Sequence, residues 1–123
     1  LAAVGVVAYN GYTGAAKVNA TKTIHAQTVK YMAAESQKCS LGESSYAGTQ
    51  TCPVTAAKIV TGTIAQLTDK NPHDTTAESV REGTTYVLGY VQIKASGTNV
   101  IVKTCTKTGC ATADQITSTV ATQ

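Results

Sequence analysis

Hydrophobic positions are distributed very unevenly along this chain. Residues 1 to 16 carry no charge, and Leu1-Ala2-Ala3-Val4-Gly5-Val6-Val7-Ala8 is continuously apolar up to Tyr9. A water-facing terminus is normally polar, so the run is expected to continue a longer hydrophobic segment upstream. A bilayer core takes about 20 apolar residues as helix, so the run is expected to be the C-terminal part of a membrane helix. Tyr9 and Tyr12 then fall where interfacial aromatics belong.

From Thr13 to Lys38 the pattern becomes amphipathic. Ala20, Ile24, Thr28 and Tyr31 recur at helical spacing, with Met32 on the same side. Lys17, Lys22, His25, Gln27, Lys30, Glu35 and Lys38 are assigned to the polar face, and both His25 and His73 are expected at the surface. A single helix over residues 1–38 would be roughly 57 Å long, more than twice what so small a domain covers. Gly5, Gly11 and Gly14 each weaken that helix by about 1 kcal/mol relative to Ala, so its first part would depend on packing against other helices.

Cys39-Ser40-Leu41-Gly42 reads as the helix stop, and Glu43 to Cys52 as a loop. Pro53 suits the first turn of a second helix, with Ala57, Val60, Ile64 and Leu67 at helical spacing. Thr68 to Gly83 reads as loop. Tyr86 to Ile93 alternates as a strand, Ser96-Gly97-Thr98-Asn99 as a turn, and Val100-Ile101-Val102 as the returning strand. Thr106 to Gly109 gives a second turn, and the tail from Ala111 is either a third strand or a loop. The divisions are therefore 1–38 helix, 39–83 connecting region and 84–123 sheet, one domain of α+β class with a long N-terminal helix on a small antiparallel sheet.

Composition sharpens this picture in one respect. With six Tyr, no Phe and no Trp among 123 residues, the core must be built from small and β-branched side chains. Burial at roughly 25 cal/mol per Å² then leaves little surplus over chain entropy, and covalent staples are a common remedy. Cys39, Cys52, Cys105 and Cys110 are an even set in a Thr/Ser-rich chain, which reads as two disulfides formed in an oxidising compartment. Local pairing, Cys39 with Cys52 and Cys105 with Cys110, is expected; a bridge between the two regions stays open. No C-x-x-C spacing and no nearby histidine supports zinc.

The formal charge of +3 is too small and scattered to make nucleic acid the main partner. No nucleophile, base and carboxylate set and no phosphate-cradling glycine loop is found, so no catalytic residue is assigned. Asn19-Ala20-Thr21 matches a glycosylation sequon but lies within the helix and is given no weight. Lys17, Lys22 and Lys30 form a basic stretch that suits solvent or intersubunit contacts, with DNA or lipid head groups as the sharper alternative.

The Leu-Ala-Ala run leading to Ala8-Tyr9 and then Tyr12, directly before an amphipathic half-helix, resembles the end of the N-terminal segment of type IV pilins. The match covers about a tenth of the chain, and the family's cleavage site, methylated first residue and buried Glu would lie upstream. Val6-Val7 stands where many pilins have a Pro. The resemblance implies a non-enzymatic filament subunit, with adhesion, surface motility or DNA uptake as its service. Leu1, Val4, Val6, Val7 and Tyr9 would form the subunit interface. Implied partners are further copies of the chain, the inner membrane before assembly and the pilus assembly machinery, with the extracellular fibre as final location and no cofactor. A pseudopilin of type II secretion, or a membrane-anchored binding module, is the alternative. Asp69, Asn71, Asp74 and Glu78 cluster around Asn71-Pro72-His73 and are a calcium candidate through their oxygens, as a loop is in the major pseudopilins, with a capped polar loop as the plainer account.

Overall fold

The computed structural model describes residues 2–122, with side chains described for residues 14–122. Helix α1 (Ala2–Ser40) is followed by a short hairpin, β1 (Ser45–Tyr46) and β2 (Gln50–Thr51), and then by α2 (Ala56–Gln66). A second small hairpin, β3 (Lys70–Asn71) and β4 (Asp74–Glu78), leads into a four-stranded sheet in the order β5-β6-β7-β8, where β5 is Val80–Glu82, β6 Val91–Ser96, β7 Asn99–Cys105 and β8 Gln115–Ala121. A single 3-10 turn, η1 (Thr112–Asp114), precedes β8. The α+β class, with an N-terminal helix and small, mainly antiparallel sheets, is as expected.

Helix α1 packs on β6, β7 and β8, while α2 packs beside it on β5, β6 and β7. The register pairs Val91 with Thr104, Ile93 with Val102 and Val100 with Val120, so alternate residues of each strand face the helices. Val80, Val91, Ile93, Val100 and Val102 meet Met32, Tyr46 and Ile59 in a core that is fully enclosed yet contains no residue larger than one tyrosine. Gly62 is what admits that ring: a Cβ there would stand 2.9 Å from Tyr46 Cδ1. The Tyr46 hydroxyl is then satisfied by Thr63 Oγ1 at 2.6 Å.

Five sequence expectations need correction. The stretch from Glu43 to Cys52 is not all loop but holds the β1–β2 hairpin, with Ser45 paired to Thr51 and Tyr46 to Gln50. Pro53 lies ahead of α2 rather than in its first turn, because Thr55 caps the helix through Lys58 N. The face α2 buries is Ala56, Ile59, Val60 and Thr63, while Ala57 is exposed and Ile64 half-buried. The stretch from Thr68 to Gly83 is not all loop but contains β3, β4 and β5, and β5 joins β6 in parallel, so the sheet is mixed. The alternation from Tyr86 to Tyr90 is not strand: β6 starts only at Val91. There Gly89 takes φ +75 and donates to Cys105 O at 2.8 Å, a turn that breaks the extended run. Its tyrosines cover cations instead, Tyr90 under Arg81 at 3.5 Å and Tyr86 near Lys103 at 5.5 Å.

Candidate functional site

The helix seam is the first place where chemistry-bearing residues converge. On α1, Thr21, Ile24, His25, Thr28, Met32 and Ser36 are buried, a stripe of helical period. Thr21 Oγ1 donates to Lys17 O and Thr28 Oγ1 to Ile24 O, each at 2.7 Å, so these hydroxyls are satisfied by their own helix and cost little when buried. His25 does something different. Only 4% exposed, it bonds Thr104 Oγ1 on β7 through Nδ1 at 2.7 Å and Ser118 Oγ on β8 through Nε2 at 2.8 Å.

The expectation that His25 lies on the polar surface is thereby corrected. A polar residue type was read as an exposed position, whereas the sheet offers hydroxyls at the two points the ring reaches, and a buried imidazole with both nitrogens bonded is well tolerated. Burial pulls its pKa below the usual histidine value. The Ser118–His25 contact is not a nucleophile–base pair of the familiar kind, because the second ring nitrogen meets a hydroxyl and no carboxylate orients it. It is a tie between helix and sheet.

The cysteines pair locally, as expected: Cys39 with Cys52 (Cα–Cα 5.4 Å) and Cys105 with Cys110 (5.3 Å). The first bridge sits at the end of α1, where Gly42, with φ +107, lets Glu43 N reach Lys38 O and Gly42 N reach Cys39 O, closing the last turn as a Schellman motif. Glu35 adds a second fastening. One carboxylate oxygen accepts from Ala47 N at 2.9 Å and the other from Lys38 Nζ at 2.8 Å, and the Lys38 bond foremost holds its pKa below the usual carboxylate value. Tyr31 meets Tyr46 edge-to-face at 6.4 Å. The second bridge closes the loop between β7 and η1.

The candidate calcium residues have other occupations. Asn71 is fully buried; its Nδ2 donates to Leu88 O at 3.0 Å and its Oδ1 accepts from His73 N at 2.8 Å. Asp74 is exposed and accepts from Thr76 N and Thr76 Oγ1 through a single oxygen, which lowers its pKa. Asp69 contributes its backbone carbonyl to Ser79 N at 2.8 Å. Among the described residues no group of three His, Cys, Asp or Glu side chains is placed to hold a metal ion. Asn71 thus brackets the β3–β4 turn to the segment before β6. Its only sequence signal is an Asn-Pro pair at a turn.

His73 is half-buried rather than freely exposed, and its Nε2 donates to Thr106 O at 3.0 Å, joining the β3–β4 turn to the disulfide loop. Burial, and to a lesser degree the charge of Lys17, keeps its pKa below the usual value. Lys22 and Lys30 are exposed, whereas Lys17 is half-buried. The side chains of Leu1, Val4, Val6, Val7 and Tyr9 lie outside the described residues. Among the described residues no helix is long and apolar enough to cross a membrane. Comparison of the chain with protein-family models, curated proteins and solved structures gave no match.

Proposed function

We propose that this chain is a structural subunit of a type IV pilin-like filament, assembling with further copies of itself through the uncharged start of α1. The reading assigns no catalytic residue and no cofactor. One observation carries it. The helix runs from Ala2 to Ser40; among its residues 14–40, whose side chains are described, the buried positions begin at Thr21, and the uncharged residues Gly14, Ala15 and Ala16 are exposed. An uncharged stretch of helix whose described residues are exposed is suited to burial against another helix.

Two further features support it. The Cys39–Cys52 staple fastens the C-terminal end of the helix, away from its uncharged start, and both bridges suit an oxidising exterior. In this reading the subunit waits in the inner membrane, is handed to an assembly machinery and ends in an extracellular fibre, with Leu1, Val4, Val6, Val7 and Tyr9 between copies.

The test is made in cells that produce the protein. Sheared surface fractions should contain fibres that label with antibody to the chain. Val7→Lys should leave the subunit in the cell envelope while its melting temperature stays unchanged. A chain that remains monomeric in neutral detergent and never enters the sheared fraction, or fibres indifferent to Val7→Lys, would sink the proposal.

A further inference from the structure

Beside α1 lies a cleft of about 650 Å³, bordered by Gly14 and Ala15, whose polar and charged walls have no task in the filament reading. Three separate elements form it: α1 contributes Lys17 and Asn19, the β3–β4 turn contributes His73, and the disulfide loop with η1 contributes Lys107, Thr108 and Asp114. Its walls are fixed. The Cys105–Cys110 bridge closes the loop that carries Lys107 and Thr108, His73 ties that loop to the β3–β4 turn, and Thr106 N donates to Asp114 O at 2.9 Å.

The charge in the cleft is unbalanced. Neither Lys17 nor Lys107 has an ion pair among the described residues, whereas Lys38 and Lys94 are both paired with glutamates. Against the two ammonium groups stands a single carboxylate, Asp114. Asn19 and Thr108 add an amide and a hydroxyl, neutral donors of the kind that complete the coordination of a tetrahedral oxyanion.

We propose that this cleft binds a phosphate group, held between Lys17 and Lys107. Two sources carry that chemistry, free phosphate and the head group of an anionic phospholipid. The sequence favours the lipid: residues 1–16 are uncharged, so Lys17 is the first cation after the apolar run, where a basic side chain meets an anionic leaflet. That source rests on the reading of residues 1–12 as membrane-embedded before assembly; binding of free phosphate does not, so failure of the cleft and failure of the filament reading are observed separately.

The full chain in micelles of a neutral maltoside detergent is followed by NMR at the amides of Lys17 and Thr108 and the ring of His73. It is titrated first with inorganic phosphate, then with phosphatidylglycerol doped into the micelles. Saturable shifts confined to these residues with phosphate alone identify a free-phosphate site, and shifts that need the doped lipid identify a head-group site. Lys17→Gln and Lys107→Gln should each weaken binding about fivefold. Asp114→Asn, whose side chain makes no structural bond among the described residues, should tighten it. The double variant Lys22→Gln with Lys30→Gln removes two charges outside the cleft, twice that of either single variant, and should change nothing. No saturable shift with either ligand, or an equal loss in the Lys22/Lys30 double variant, overturns the proposal.

Discussion

Replacing His25 by alanine tests whether the helix seam is held as described. Thr104 is fully buried, so its hydroxyl would lose its ring partner with no water to replace it, at a cost of about 1–3 kcal/mol. Ser118 is half-exposed and can turn to solvent, adding little. The space left by the imidazole adds about 2 kcal/mol in a core that relaxes only partly. The sum, about 3–5 kcal/mol, corresponds to a fall in melting temperature of roughly 10–20 °C for a chain of this size. Circular dichroism melts at pH 8 measure it directly. His25→Gln, which keeps an amide in place of one ring nitrogen, should lose about half as much.

The same residue predicts a pH dependence whose sign is fixed by its environment. Burial lowers the folded-state pKa of His25 below 6.5, so the unfolded chain takes up the proton first. Its contribution is complete above pH 6.5 and is lost progressively as the pH falls through the folded-state pKa. His73 shifts in the same direction, so the informative quantity is the difference between parent and His25→Gln. The parent should lose stability more steeply than the variant between pH 7.5 and 5. Equal slopes, or an alanine variant melting within about 3 °C of the parent, would refute this account of the seam.

Gly89→Ala should be among the most damaging single-methyl changes, because the new Cβ would stand 1.8 Å from Asn71 Oδ1 at a φ of +75; a loss of about 2–4 kcal/mol in urea unfolding is expected, and a change under 1 would show the Asn71 bracket to be soft. Replacing Cys39 and Cys52 by serine should cost about 3 kcal/mol, and replacing Cys105 and Cys110 about 2, on the chain-entropy dependence on loop length. The reverse order in denaturant melts would mean that the shorter bridge acts through the native state.

Much of the fold was legible because single physical rules dominated locally. The amphipathic half of α1, the stop at Gly42, the turn at Gly97 and the two local disulfides each follow from periodicity, positive φ or loop closure. What escaped depended on partners far away in sequence. His25 reads as surface until Thr104 and Ser118 are brought beneath it, and Asn71 reads as a surface ligand until Leu88 is placed against it. The three-residue β5 has no pattern of its own and exists only because β6 runs beside it. In the same way the tyrosines at 86 and 90 alternate like a strand, but Gly89 and two nearby cations decide their conformation. The cleft beside Lys17 was invisible for the same reason, since its walls come from three distant stretches of chain.

The fastening at the far end of α1 gives the helix a direction of wear. Disulfide, glycine turn, Glu35 carboxylate and Tyr31–Tyr46 contact all act within its last ten residues or so, and together they keep the final turns wound. Fraying from the C-terminal end is therefore opposed, and the buried stripe from Thr21 to Ser36 is held between that staple and the sheet. Backbone amides from Thr21 to Ser40 should then exchange with solvent more slowly than those of Gly14 to Ala16, whose side chains are exposed.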